Sequence, residues 1–190
     1  MDLLTFINNG MQNPFLDTVV PIFYNSTSIY SIPVFLLIVL IVSWALKMEK
    51  IRNIMLICIL AFFFNDVITL FLKVVYVSPR PYVVLSNIRM VVQDHGLNSF
   101  PSGHTSISFS VISVVLMKVK ENRLILGILA AIYLIILEFS LLYSGVHYPT
   151  DLIGGAIIGI VSAAVAVFFS DRFIGFVDNA VGFFKKWLVK

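Results

Sequence analysis

The chain has 190 residues, of which 59% are hydrophobic and only 12% are charged, and its net charge is +3. A soluble domain carries about 25% charged residues, so this composition leaves too little polar surface for a water-exposed globule. The single cysteine, Cys58, lies in an apolar run and excludes an intrachain disulfide. We therefore expect one membrane-embedded domain over residues 1–190.

The first 24 residues mix apolar side chains with asparagine, glutamine and aspartate, and Pro14 and Pro21 interrupt them. No basic segment precedes an apolar one, so this pattern does not match a signal peptide. We expect this segment to lie at the membrane interface rather than to cross the bilayer.

Five apolar runs follow, at about 32–46, 53–72, 103–117, 124–143 and 152–169. A spanning helix needs about 20 apolar residues, and the first and third runs are short but have apolar flanks that extend them. Backbone groups in lipid must be satisfied within the segment, which favours helix for every run. The fold class we predict is an all-α polytopic membrane bundle of about five spanning helices.

The last 20 residues have apolar side chains at helical spacing and charged ones on the other side. The apolar set comprises Phe173, Phe176, Val177, Val181, Phe184 and Leu188, and the charged set comprises Asp178, Lys185 and Lys186. Together with Trp187, this pattern predicts an amphipathic helix at the membrane interface.

Basic residues are unequally divided between the two ends of the predicted bundle. Ten of them fall on the side that holds the C-terminus, whereas the opposite side holds only Lys73, Arg80 and Arg89. The positive-inside rule makes the ten-residue side cytoplasmic. We therefore predict a multi-pass cell-membrane protein in which Lys73, Arg80 and Arg89 lie on the outer side. The positive-inside rule does not explain these three cations, which indicates a function for them.

The outer side carries a long loop, about 73–102, and a short one, about 144–150, and all three histidines fall there. Lys73 and Arg80 can bind an anion. Ser102 can cap the helix that starts at Gly103, whose free N–H groups form an anion site. His104 is placed beside that site, where it could protonate a leaving oxygen.

In the short loop, Pro149 suits a first helical turn, which places His147 at the mouth of the helix and Asp151 one turn into it. A carboxylate beside an imidazole fixes its tautomer and leaves the other ring nitrogen able to attack. An aspartate in a membrane helix is costly and indicates function.

Each of these residues also has an ordinary explanation. Lys73 and Arg80 can be interfacial residues whose charged ends reach water, and Ser102 can be a simple helix cap. His147 and Asp151 can be metal ligands, with His104 or His95 as a third. These explanations do not account for the joint occurrence of the residues on one face in this order.

The order and spacing resemble the type 2 phosphatidic acid phosphatase superfamily of membrane lipid phosphatases. Its three motifs are Lys-x6-Arg-Pro, Pro-Ser-Gly-His and Ser-Arg-x5-His-x3-Asp. The first two are complete here, from Lys73 to Pro81 and from Pro101 to His104. The third is present as Ser140, His147 and Asp151, so the motif core covers about 55–170.

The resemblance implies a role for each matching residue. Lys73, Arg80, Ser102 and Gly103 would bind the phosphate. The catalytic set would be His104 as general acid, His147 as the nucleophile that forms a phosphohistidine, and Asp151 as its orienting partner. The scheme implies no metal and no cofactor. The partners would be the bilayer and a lipid phosphate, with polyprenyl diphosphate favoured over phosphatidic acid or phosphatidylglycerol phosphate, and no nucleic acid.

One position departs from the third motif, because Leu141 stands where the family has a phosphate-binding arginine. Arg89, in the long outer loop, is the candidate compensating cation. Alternatively, Lys73 and Arg80 suffice at a lower rate, or the protein binds a phospholipid without hydrolysing it. Three further polar residues lie within the spans. We expect Asn65 in a helix–helix hydrogen bond, whereas the motifs give no account of Asp66 and Glu138.

Overall fold

The computed structural model describes residues 2–26, 31–94, 96 and 98–188, and within them it is helical with no β-strand. The helices are α1 (Leu3–Thr5), which continues into a π-helical turn (Phe6–Gly10), α2 (Pro14–Ser26), α3 (Ser31–Ala45), α4 (Glu49–Val75), α5 (Pro81–Val84), α6 (Gly103–Lys118), α7 (Arg123–Tyr143) and α8 (Pro149–Leu188). All five predicted apolar runs are helical, which confirms a helical membrane bundle.

In the described part of the chain, three helices are long and apolar enough to cross a membrane: α4, α7 and α8. Helix α3 is apolar but only 15 residues long, and α6 has 16 residues. Large apolar side chains on the outside of the bundle, such as Leu124 and Phe168, are about four-fifths exposed and suit contact with lipid.

The C-terminal amphipathic segment is helical, as predicted, but it is not a separate element. Helix α8 runs without a break for 40 residues, about 60 Å at 1.5 Å per residue. No proline interrupts it after Pro149, and Gly175 and Gly182 lower its helix propensity without forcing a bend. The predicted amphipathic segment is therefore a continuation of the helix that carries the last apolar run.

Helices α6 and α8 approach each other closely because glycines line the contact. A Cβ atom at Gly155 would lie 2.8 Å from the backbone oxygen of Ser102, and one at Gly159 would lie 2.7 Å from the Cβ of Phe109. Small residues of this kind allow membrane helices to pack backbone to backbone. The contact fixes the start of α6 beside the start of α8. Asn65 of α4 donates to the hydroxyl of Ser106 at 3.3 Å, which confirms its helix–helix role.

The N-terminal helices lie against the end of α7 and the long loop. Asn8 is fully buried, and its amide group donates to the backbone oxygens of Arg89 and Tyr143 at 2.9 and 2.7 Å. Its side-chain oxygen accepts the N–H of Arg89 at 2.8 Å. One asparagine therefore joins three parts of the chain at the end of the bundle where the two polar loops lie.

Candidate active site

Arg80 lies near the start of the long loop, is only 6% exposed, and directly precedes the short helix α5. Its Nε atom donates to the backbone oxygen of Gly96 at 2.8 Å, and its Nη1 donates to that of Val146 at 2.8 Å. Its Nη2 lies 3.1 Å from the carboxylate of Asp94. These contacts tie the long loop to the short one and hold the guanidinium plane in one orientation.

His147 and Asp151 form a buried pair at the start of α8, with side chains 2% exposed each. The Nδ1 atom of His147 lies 3.4 Å from Oδ2 of Asp151, which also accepts the backbone N–H of Tyr148 at 2.8 Å. The Nε2 atom lies 3.1 Å from Nη1 of Arg80. A guanidinium can only donate, so Nε2 is the acceptor and the ring hydrogen belongs on Nδ1, toward Asp151.

This environment keeps the His147 imidazole neutral. Burial lowers the pKa of His147 below its ordinary value, and the charges of Arg80 and Lys73 act in the same direction. The hydrogen bond and charge of Asp151 oppose the shift without cancelling it. A neutral imidazole that carries no hydrogen on Nε2 is the form that can attack phosphorus once a phosphate replaces Nε2 as the acceptor of the Arg80 N–H.

Ser102 and Gly103 begin α6, as the sequence predicts. Ser102 is fully buried, and its hydroxyl oxygen accepts the N–H of Thr105 at 3.4 Å, in the N-cap arrangement. The backbone N–H of Ser102 donates to the backbone oxygen of Asp151 at 3.1 Å. The first turn of α6 and the first turn of α8 therefore start side by side, with the free N–H groups of α6 available to an anion.

His104 is the second residue of α6. Its ring lies 4.5 Å from the ring of Tyr24, centroid to centroid, with the two planes tilted by 38°. Its Nε2 atom is buried and makes no hydrogen bond to any of the described residues. A buried ring nitrogen without a partner is uncommon, and one beside a cationic pocket is suited to a substrate oxygen.

Lys73 is in the last turn of α4, and its ammonium group donates to the backbone oxygen of Asn98 at 3.1 Å. The amide oxygen of Asn98 accepts the N–H of Ser78 at 2.9 Å, and Pro79 and Asn98 form an isolated antiparallel bridge. The two ends of the long loop are therefore joined, which holds Lys73 on the same side of the bundle as Arg80.

Arg89 lies in a different set of contacts. Its guanidinium pairs with the carboxylate of Asp17 at 3.2 Å, donates to the backbone oxygen of Asn8 at 3.1 Å and lies over the ring of Tyr143 at 5.6 Å. These partners belong to the N-terminal segment and the end of α7. The structure thus brings Lys73, Arg80, Ser102, Gly103, His104, His147 and Asp151 to one end of the bundle, and it uses Arg89 to fasten the N-terminal helices there.

Leu141 is fully buried in an apolar cluster. Its neighbours in that cluster include Leu4, Ile88, Leu137 and Val146. The position where the family motif has an arginine is therefore a packing position in this chain.

Two residues of the site were not singled out from the sequence, namely Asp94 and Tyr24. The hydroxyl of Tyr24 donates at 2.6 Å to the same carboxylate oxygen of Asp94 that faces Arg80. Burial acts to raise the pKa of Asp94, but the Tyr24 hydrogen bond and the Arg80 charge together hold it below its ordinary value. The available signal was that Asp94 is the single acidic residue between positions 73 and 102.

A metal centre is not apparent in the described residues, because they contain no group of three or more histidine, cysteine, aspartate or glutamate side chains that could hold an ion. His147 and Asp151 are the two members that the metal hypothesis required, and His104 faces Tyr24. His95, the other suggested ligand, lies outside the described residues.

The sequence pattern of the PAP2 superfamily matches residues 54–174, which is more than half of the chain. The chain belongs to the PAP2 superfamily. Its three motifs all lie within the matched range. The protein is therefore a membrane phosphatase of the PAP2 type.

Two sequence relatives and one solved structure are similar to this PAP2 protein. It is 27% identical to the bacitracin transport permease protein BcrC of Bacillus licheniformis over 187 residues, covering 98% of this chain and 87% of that protein. It is 31% identical to the undecaprenyl-diphosphatase BcrC of Bacillus subtilis over 115 residues, 60% of this chain and 57% of that protein. The crystal structure of Aquifex aeolicus LpxE matches with a TM-score of 0.71 at 27% identity, covering 87% of this chain and 92% of that one.

Proposed function

We propose that this protein hydrolyses the phosphate group of a membrane lipid, with a polyprenyl diphosphate as the preferred substrate class. The observation that carries the proposal is the buried His147–Asp151 pair, whose Nε2 atom faces the guanidinium of Arg80 at 3.1 Å. A phosphorus atom attacked by Nε2 would have its oxygens within reach of that guanidinium. The arrangement supports attack on phosphorus by Nε2 while the guanidinium donates to oxygens of the same phosphate group.

The reaction has two steps. In the first, Nε2 of His147 forms a bond to phosphorus and the bond to the leaving oxygen breaks, while His104 delivers a proton to that oxygen. In the second, a water oxygen forms a bond to phosphorus and a proton of that water passes to His104, while the bond between phosphorus and Nε2 breaks and phosphate leaves. Lys73, Arg80, the Ser102 hydroxyl and the first N–H groups of α6 hold the phosphoryl oxygens in both steps. No step of this scheme uses a metal ion.

The substrate class rests on two arguments. One sequence relative is an undecaprenyl-diphosphatase, which acts on a polyprenyl diphosphate as its name states. The second argument is size: the chain has only 190 residues, and it has little outer structure on which to recognise a large headgroup. The apolar tail of the substrate would lie along the helices while the diphosphate enters between the two polar loops.

The same proposal places the site on the extracytoplasmic side and the C-terminus in the cytoplasm. Its support is the distribution of the basic residues, ten of which lie toward the end that holds the C-terminus. Binding of the substrate phosphate explains why Lys73 and Arg80 lie at the other end. A cysteine introduced at exposed Thr150, labelled in whole cells with an impermeant maleimide, tests this orientation in a Cys58→Ala background.

The activity is tested by measuring phosphate release from undecaprenyl diphosphate, phosphatidic acid and phosphatidylglycerol phosphate by the purified protein, with and without a chelator. We expect release that the chelator leaves intact, with the diphosphate as the best substrate, and loss of release in His147→Ala. The control is Thr150→Ala, which changes an exposed residue between His147 and Asp151 and is expected to behave as wild type.

Three outcomes would count against parts of this proposal. Loss of activity on chelation would overturn the metal-free scheme. Normal activity in His147→Ala would overturn the nucleophile. Binding of these lipids without any release would make the protein a phospholipid-binding member of its family, as the missing motif arginine alone would suggest.

A further inference from the structure

Three hydrogen-bonded side chains, those of Ser102, Thr105 and Glu138, connect the start of α6 to α7. The hydroxyl of Thr105 lies 3.0 Å from the hydroxyl oxygen of Ser102 and 3.0 Å from Oε2 of Glu138. Ser102 and Thr105 are fully buried, and the Oε1 atom of Glu138 is buried as well. None of the three motifs includes Thr105 or Glu138, and the hydroxyl of Ser102 links their side chains to the phosphate site.

The number of available hydrogens restricts these hydrogen bonds to two arrangements, which differ in the direction of donation. Thr105 has one hydroxyl hydrogen, so it can donate to Ser102 or to Glu138 but not to both. If Thr105 donates to an ionised Glu138, Ser102 must donate to Thr105, and Ser102 then has no hydrogen left for a phosphate oxygen. If Glu138 carries a proton, it donates to Thr105, Thr105 donates to Ser102, and the Ser102 hydrogen is free.

The surroundings of Glu138 decide between the two directions. Within the described part of the chain no lysine, arginine or histidine pairs with it, and its Oε1 atom makes no hydrogen bond there. It lies in α7, a helix long and apolar enough to cross a membrane. Such surroundings, with no cation beside the carboxyl group, favour its neutral form, which can donate.

We propose that Glu138 is a positioning residue for phosphate binding, and that it acts through Thr105 to aim the hydroxyl hydrogen of Ser102 at the substrate. This inference rests on the proposed function, because it takes Ser102 to be a phosphate ligand. It gives α7 a part in anion binding even though the motif arginine of that helix is replaced by Leu141. Hydrogen-bond chains of this kind strengthen each member by polarisation.

The test is a set of variants of the full chain, assayed for phosphate release from undecaprenyl diphosphate. Glu138→Leu removes the donor and is expected to lower kcat/KM by roughly tenfold to a hundredfold, as loss of one donor to an anion does. Ser102→Gly removes the hydroxyl but leaves a residue that helix starts accept. The double variant is expected to be no slower than Ser102→Gly alone, because both changes remove the same hydrogen bond.

Two further variants separate positioning from packing. Glu138→Gln keeps a donor to Thr105 and is expected to stay within about threefold of wild type, whereas Thr105→Val breaks the chain in its middle and is expected to match Glu138→Leu. The matched control is Tyr133→Phe, which removes the hydroxyl that lies 3.2 Å from Ser108 in the same α6–α7 contact. It should leave kcat/KM unchanged.

The outcomes separate failure of this inference from failure of the proposed function. The inference would be overturned if the fold-losses of Glu138→Leu and Ser102→Gly multiplied in the double variant, because the two residues would then act independently. It would also be overturned if Glu138→Gln were as slow as Glu138→Leu, because a retained donor would then make no difference. Release that needs His147 but is insensitive to Ser102→Gly would overturn this inference and leave the proposed function intact. A wild-type protein that releases no phosphate would overturn both.

Discussion

The guanidinium of Arg80 and the imidazole of His147 share a hydrogen bond of 3.1 Å between Nη1 and Nε2. These residues lie 67 positions apart in the sequence, in different loops. The bond assigns the imidazole hydrogen to Nδ1, because the guanidinium has no electron pair to offer. It also places the proposed nucleophilic atom beside the proposed anion ligand.

Replacing Arg80 by lysine is expected to lower kcat/KM by at least about a hundredfold while the protein remains folded. An ammonium group cannot reproduce the contacts to Gly96, Val146, His147 and Asp94 at once, so the phosphate loses an oriented donor in the transition state. Steady-state phosphate release measures the loss. Normal activity in Arg80→Lys would show that only the charge at this position matters.

The contributions of the Tyr24 ring and of its hydroxyl can be measured separately. Tyr24→Phe keeps the ring against His104 but removes the hydrogen bond to Asp94, whereas Tyr24→Leu removes both. We expect Tyr24→Phe to lower kcat/KM by several-fold, through a less firmly held Arg80, and Tyr24→Leu to lower it further because His104 loses its packing partner. Equal rates for the two variants would show that the ring does not position His104.

Arg89 is expected to stabilise the N-terminal helices rather than to bind phosphate. Arg89→Ala and Asp17→Asn each break the same 3.2 Å ion pair, so both should lower the unfolding temperature, and the loss in the double variant should be smaller than the sum of the two. Arg89→Ala should cost more, because it also removes the contacts to Asn8 and Tyr143. Both should leave part of the phosphatase activity. If Arg89 instead replaces the missing motif arginine, Arg89→Ala would abolish activity and Asp17→Asn would leave it unchanged.

Leu141→Arg restores the arginine of the third motif, and we expect it to destabilise this protein without raising its activity. Leu141 is fully buried among apolar side chains, so the arginine would bring an unpaired charge into the cluster at a cost of about 3–5 kcal/mol. Thermal unfolding in detergent measures the cost, with Leu141→Met as the volume-matched control. Higher activity at normal stability would show that the cluster opens to admit the guanidinium.

The pH dependence should follow the neutral imidazole of His147. Since burial and the neighbouring cations lower the pKa of His147 below 6.5, the attacking form persists as the pH falls, and the acid limb of kcat/KM should lie below that value. Lys73→Met removes a charge that lowers the pKa, so the acid limb should move to higher pH. Comparing the variant with wild type on one substrate cancels the titration of the substrate phosphate. An unshifted limb would show that the limb does not report His147.

The class of protein and most of the candidate site could be predicted without coordinates. Apolar runs within a bilayer leave the backbone no alternative to helix, so the approximate positions of all five apolar helices follow from the order of apolar and polar residues along the sequence. The three motifs are local patterns, and each contains its own residues at fixed spacing. His147 and Asp151 are four apart at a helix start, which by itself brings them together.

What the sequence could not determine were the contacts between distant segments. Asp94 and Tyr24 are 70 positions apart, and Arg89 and Asp17 are 72 apart, so no spacing rule relates them. Which cation lies beside His147 and which one fastens the N-terminal helices depends on how α2 and the long loop pack against α7. Hydrophobic periodicity and motif spacing act within a segment and specify helices and local pairs. Only tertiary packing, which chooses among many charged partners by geometry and burial, placed Arg80 beside His147 and Arg89 beside Asp17.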